Sequence, residues 1–132
     1  MKYLLDTHIF LWAIISPEKL SKKVQAILLD ADNTIVISSL SFWEISLKYA
    51  SGKLQLGNIQ PEDFIRIAKE IGFGFTNLAV EETSTFYLLA GEYHKDPFDR
   101  MLIWQSIKNN YVFISDDKEV KKYGANGLNV IS

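Results

Sequence analysis

Cysteine is missing from the chain. Its absence excludes a disulfide framework, a thiolate nucleophile and zinc held by sulfur. It suits a reducing compartment, and a cytoplasmic location is the expectation. Proline and glycine are scarce, 3 and 7 in 132 residues, so low-complexity and disordered segments are excluded. No apolar run reaches the ~18 residues of a membrane span, and no secretory-signal pattern opens the chain. No membrane partner is expected. Neither sign of charge dominates: 14 Lys and Arg face 16 Asp and Glu, for a net charge of −2. No large basic field advertises nucleic-acid binding. What is abundant is apolar material, 48% of the chain, enough for a real core at this length. One domain over residues 1–132 is expected.

Apolar runs of strand length alternate with amphipathic stretches of helix length. Strands are predicted at Lys2 to Leu5, Thr34 to Ile37, Gly72 to Leu78, Tyr111 to Ile114 and Leu128 to Ile131. Helices are predicted over Thr7 to Ile15, around Leu20, Val24, Ile27 and Leu28, and over Ser41 to Ala50 with Gly52 as stop. Further helices are predicted over Pro61 to Ile71, Val80 to Tyr93 and Pro97 to Asn109. This alternation implies an α/β fold whose mainly parallel central sheet carries helices on both faces. In such sheets ligands bind beyond the carboxyl ends of the strands.

Acids recur at that edge. Asp6 follows the first strand, Glu44 lies in the helix after the second, and Asp116 and Asp117 follow Tyr111 to Ile114. Asp96 and Asp99 open the helix at Pro97. Capping explains each alone: Ser41-Phe42-Trp43-Glu44 reads as a capping box, and Asp96 as an N-cap before Pro97. Asp6 reads as a cap for the first helix, and Asp116 or Asp117 for a short helix from Lys118. Capping does not require all of them to share one edge. Carboxylates gathered there repel unless a cation lies between them or some take protons. Oxygen ligands without Cys suit Mg²⁺ or Mn²⁺ rather than zinc.

At these residues the sequence resembles the PIN-domain ribonucleases, and within them the VapC-type toxins of bacterial toxin–antitoxin pairs. The matching segments run in family order. They are Leu4-Leu5-Asp6-Thr7-His8 with Leu11-Trp12, then Ser38 to Ile45 with Lys48 and Gly52-Lys53-Leu54, then His94 to Leu102, then Ile114-Ser115-Asp116-Asp117. The resemblance implies a PIN-like fold. It also implies that Asp6, Glu44, Asp99 and Asp117 are the catalytic carboxylates and metal ligands, with Mg²⁺ or Mn²⁺ as cofactor. Thr7 and Ser115 are accessory candidates; Asp96 rivals Asp99, and Asp116 rivals Asp117. The implied reaction is hydrolysis of RNA phosphodiesters, in structured RNA such as transfer RNA, by a metal-activated water that leaves a 5′-phosphate. A cognate antitoxin and a homodimer are the implied partners.

The remaining polar and aromatic residues are read plainly. His8 is expected to pack beside the first helix and His94 to face solvent from a loop. Trp12, Phe42, Trp43 and Trp104 are read as core or interface. Lys22, Lys23, Lys118, Lys121 and Lys122 read as solvated faces. Without the four proposed ligands the balance is 14 basic against 16 − 4 = 12 acidic, or +2, which is less hostile to RNA. The rival functions are a phosphotransfer α/β domain with Asp6 as nucleophile and a non-catalytic binding module.

Overall fold

In the computed structural model, which describes residues 1–132, every apolar run read as a strand joins one sheet. The strands are β1 (Lys2–Leu5), β2 (Thr34–Ser38), β3 (Gly74–Thr76), β4 (Val112–Ile114) and β5 (Asn129–Ile131). Their spatial order is β3-β2-β1-β4-β5, and every pairing is parallel. Leu4 of the central strand sits opposite Val36 on one side and Phe113 on the other. A strand covered on both faces has no solvent side, so its run is apolar throughout rather than alternating.

The helices are α1 (Thr7–Ile15), α2 (Lys22–Leu29), α3 (Ser39–Ala50), α4 (Asp63–Ile71), α5 (Val80–Thr85), α6 (Pro97–Asn109) and α7 (Lys118–Lys121). The pleat sends alternate strand residues to opposite layers. Tyr3, Leu5, Ile35 and Ile37 pack with Phe10 of α1, Val24 of α2 and Phe64 of α4. Leu4, Val36 and Phe113 pack on the other face with Leu102 and Ile103 of α6, Val120 of α7 and Tyr123. From β1 the sheet grows one way through β2 and β3 and the other way through β4 and β5. The carboxyl ends of β1 and β4 are therefore the topological switch point, where a crevice opens.

Several boundaries differ from the sequence reading. The Ser41–Glu44 capping box does not form, because α3 begins earlier: Ser38 is the N-cap, its Oγ accepting from the Leu40 N–H at 3.1 Å. That places Glu44 in the second turn, free of any capping duty. The helix expected over Val80 to Tyr93 ends at Thr85, followed by a 3₁₀ turn over Phe86–Leu88 and an irregular loop. Gly72 does not start a strand. It caps α4 with φ of 101°, in the left-handed region that glycine enters without strain, and shortens β3 to three residues.

Candidate active site

Asp6 leaves β1 and enters α1. Its N–H donates to the Ile114 carbonyl of β4 at 3.0 Å, which seats it in the crevice between the two strands. The side chain does not cap α1 as expected. Its Oδ2 accepts instead from Ser115 Oγ at 2.7 Å, and Ser115 Oγ accepts from the Asp117 N–H at 3.2 Å. One buried hydroxyl thus ties the first acid to the last. Thr7 spends its hydroxyl on Ser41 Oγ at 2.9 Å, joining α1 to α3.

Glu44 is only 4% exposed. Its Oε2 accepts from Lys48 Nζ at 2.6 Å, one helical turn on. Its Oε1 is buried and has no partner. Asp96 is the N-cap of α6: its Oδ1 accepts from the Phe98 N–H at 2.8 Å and from the Asp99 N–H at 3.4 Å. Asp99, relieved of capping, lies in the first turn with its Oδ2 3.0 Å from His94 Nε2. Asp117 caps α7 through Oδ1, which accepts from the Glu119 N–H at 2.8 Å, while Oδ2 lies 2.7 Å from His94 Nε2. Capping and site membership are therefore not exclusive at Asp117.

The electrostatics follow from this crowding. Burial, then the charges of Asp6 and Asp96, push the Asp99 pKa up to about 7, with His94 opposing and Glu44 adding. Burial also raises Asp6, partly offset by the Ser115 hydroxyl. Asp117 goes the other way: burial raises it, but the Glu119 N–H and the His94 hydrogen bond outweigh that and hold it low. Burial and mutual repulsion thus hold two of the acids back from ionisation, while hydrogen bonds favour the charged form of the third.

Asp6, Glu44, Asp96, Asp99, Asp116 and Asp117 all line one cleft of about 190 Å³, with Thr7, His8 and Lys48. Lys48 is the one lysine or arginine in that wall. Six carboxylates against one ammonium leave negative charge uncompensated. The orphaned Glu44 Oε1 and a wall whose acidic groups all offer oxygen fit Mg²⁺ or Mn²⁺. Asp116 sits on the exposed rim, whereas Asp117 joins the Asp99–His94 cluster, which favours Asp117 of that pair. Asp96 caps through Oδ1, whereas Asp99 joins the cluster with His94 and Asp117, which favours Asp99 of the other pair.

The sequence reading placed His94 wrongly: it does not face solvent but bridges Asp99 and Asp117. His8 rests on the Trp12 ring at 3.9 Å with its other face exposed. Trp104 is core, and its indole N–H donates to Thr85 Oγ1 at 3.2 Å. Trp43 is not core: it is 60% exposed and stacks edge-on against Phe98. The five lysines read as solvated are exposed. Lys48, which the motif reading gave no role, was signalled by its i, i+4 spacing from Glu44.

One outcome separates cap from ligand. Asp96→Ala is expected to cost about 1 kcal/mol of stability through loss of the α6 cap, read as a drop of ~3–5 °C in Tm. The same change at exposed Asp116 is expected to leave Tm unmoved.

The family model described as PIN domain matches residues 3–126. VapBC2 from Rickettsia felis, bound to a DNA fragment from their promoter, is similar in structure with a TM-score of 0.71 at 20% identity, over 99% of this chain and 98% of that one. DNA-bound VapBC from Salmonella typhimurium has a TM-score of 0.68 at 16% identity, over 99% and 97%. VapBC-1 from nontypeable Haemophilus influenzae has a TM-score of 0.66 at 17% identity, over 100% and 98%. At these identities the likeness is one of fold. No curated protein matches the chain in sequence.

Proposed function

This chain belongs to the PIN-domain family, and from that premise we propose that it is a divalent-metal-dependent endoribonuclease, the toxin of a toxin–antitoxin pair. The observation that carries the proposal is the convergence of Asp6, Glu44, Asp99 and Asp117 on one cleft, with Glu44 Oε1 buried there and unpartnered. These four side chains would hold Mg²⁺ or Mn²⁺. When bound, the ion supplies a Lewis acid that lowers the pKa of water and offsets charge on the phosphoryl oxygens. Ser115 keeps the Asp6 carboxylate turned into the cleft. Lys48, whose side chain is half-exposed, would meet the phosphate of an RNA strand.

The phosphotransfer alternative takes Asp6 as nucleophile. Its Oδ2 accepts from Ser115, and Glu44, Asp99 and Asp117 share its cleft, a setting that supports a metal ligand over a lone nucleophile. Residues 1–132 act in this proposal as a single PIN domain, working in the cytoplasm; no helix is long and apolar enough to cross a membrane. The likeness to VapBC structures supports a cognate antitoxin as partner. The exposed Trp43, with Leu47, Phe98 and Met101 around one apolar groove, supports a homodimer or antitoxin contact there.

The test is incubation with total RNA, including transfer RNA, in Mg²⁺ or Mn²⁺. Discrete fragments with 5′-phosphate ends are expected, and EDTA is expected to stop their formation. Undiminished cleavage in EDTA would overturn the proposal.

A further inference from the structure

The loop between α5 and α6 delivers one side chain that neither capping nor core packing explains. His94 Nε2 lies 2.7 Å from Asp117 Oδ2 and 3.0 Å from Asp99 Oδ2. Its other ring nitrogen, Nδ1, accepts the Asp96 backbone N–H at 3.1 Å. A nitrogen that accepts carries no proton, so the ring proton sits on Nε2 and is donated to Asp117 Oδ2, with Asp99 Oδ2 beside it at 3.0 Å.

The ring is also held from behind. The His94 N–H donates to the Tyr123 hydroxyl at 3.3 Å, and that hydroxyl donates to the Gly91 carbonyl at 3.1 Å. Arg100 clamps the same loop, donating to the Gly91 carbonyl at 3.3 Å and to the Tyr123 hydroxyl at 3.4 Å. Tyr123 is fully buried, so this anchor lies out of reach of water. His94 is not part of the cleft wall; it stands behind Asp99 and Asp117.

Ligand atoms ~2.1 Å from one ion are ~3.0 Å apart when adjacent and ~4.2 Å apart when opposite. His94 Nε2 and the carboxylate oxygens of Asp99 and Asp117 all lie within 4.8 Å of one another. The two oxygens are thus no more than 4.8 Å apart, against the ~4.2 Å that opposite ligands of one ion span. The independent sign that a ligand enters the cleft is the buried, unpartnered Glu44 Oε1.

We propose that His94 is a positioning residue whose fixed Nε2–H holds Asp99 and Asp117 at the separation one divalent ion bridges, without itself binding the ion. This rests on the metal site proposed above. The partners that orient ligating carboxylates set affinity almost as strongly as the ligands do.

The experiment is Mn²⁺ titration followed by electron paramagnetic resonance, on wild type, His94→Ala, His94→Phe and His94→Gln. Phe fills the ring volume without a donor; Gln keeps a donor with less volume. Wild type is expected to bind Mn²⁺ without the nitrogen coupling of a directly bound imidazole. Ala and Phe are each expected to weaken Mn²⁺ binding by ~10–100-fold, with Gln close to wild type. Metal-free melts identify any variant that fails to fold, and Phe and Gln then decide between them. A strong nitrogen coupling lost in Phe would make His94 a ligand and overturn the proposal. Equal affinity in Phe and wild type would also overturn it. Wild type that binds no Mn²⁺ would overturn the metal site itself, a distinct failure.

Discussion

Asp99→Asn is expected to cut metal-dependent RNA cleavage by at least ~100-fold while making the metal-free protein more stable at pH 8. The first effect follows from losing a ligand charge at the centre of the cluster. The second follows from linkage. The Asp99 pKa is about 7 in the folded chain against an ordinary 3.8. Between those values the folded chain retains a proton that the unfolded chain has released. Stability therefore falls as pH rises through this window, and above pH 7 the whole penalty is present. Asn carries no charge to repel Asp6, Asp96 and Glu44, so the variant escapes it. The gain is on the order of 1–3 kcal/mol at pH 8, because neighbouring groups share the shift. Melts in EDTA at pH 5 and pH 8 check this: the variant should lead at pH 8, and the gap should narrow at pH 5. A variant less stable than wild type at pH 8 would mean that the acids do not strain the empty cleft. Adding Mg²⁺ should reverse the ranking, since only the protein that binds the ion is stabilised by it. Asp117→Asn should lose cleavage too but gain no stability, because the Asp117 pKa lies low and its charge is favourable in the fold.

Lys48→Ala is expected to destabilise the metal-free protein by about 1–2 kcal/mol and to be rescued by divalent ions. Glu44 is buried, and Lys48 is its only hydrogen-bonding partner. Removing one member of a fully buried pair costs about 3–5 kcal/mol, because the other charge is left uncompensated. Here the figure is smaller, since the Lys48 side chain is 46% exposed and water screens the pair. The hydrogen bond to Glu44 raises the Lys48 pKa above its ordinary 10.5, so the pair stays intact throughout the neutral range. An ion in the cleft would replace the missing ammonium. The Tm gain on adding Mg²⁺ should thus be larger in Lys48→Ala than in wild type. If Lys48 also meets phosphate, KM for RNA rises in the variant more than kcat falls. A variant whose melting ignores Mg²⁺ would argue that Glu44 does not see the ion.

The strands and the acids that follow them were legible because a fully covered parallel strand must be apolar and must end where its side chains meet the crevice. Asp6 could be placed from that rule alone, and so could the pair Asp116 and Asp117, between which only the family resemblance chose. Glu44 could be found but was misread, since a Ser three residues before a Glu looks like a capping box wherever the helix begins. Only Ser38 Oγ on the Leu40 N–H shows that the helix starts earlier. His94 was not legible. It lies in a loop with no periodicity, and its place is set by Tyr123 and Arg100, long-range partners that no local pattern announces. The premature end of α5 has a similar cause. Residues Val80 to Thr85 include two Thr and a Ser whose hydroxyls bond to carbonyls of their own turn, and such bonding competes with helix propagation.

The hydrogen bond from Ser115 to Asp6 joins residues 109 positions apart. At ~5–20 residues per second a ribosome takes on the order of 5–20 s to pass from the first to the second. Throughout that interval the central strand lacks its β4 neighbour, and the first acid has neither its hydroxyl partner nor Asp117. If these acids hold the ion proposed above, a nascent chain has no complete site until Asp117 has been added. A transcript cut upstream of the Asp117 codon would then yield a product that lacks one of the four acids, and the activity proposed above would be lost with it.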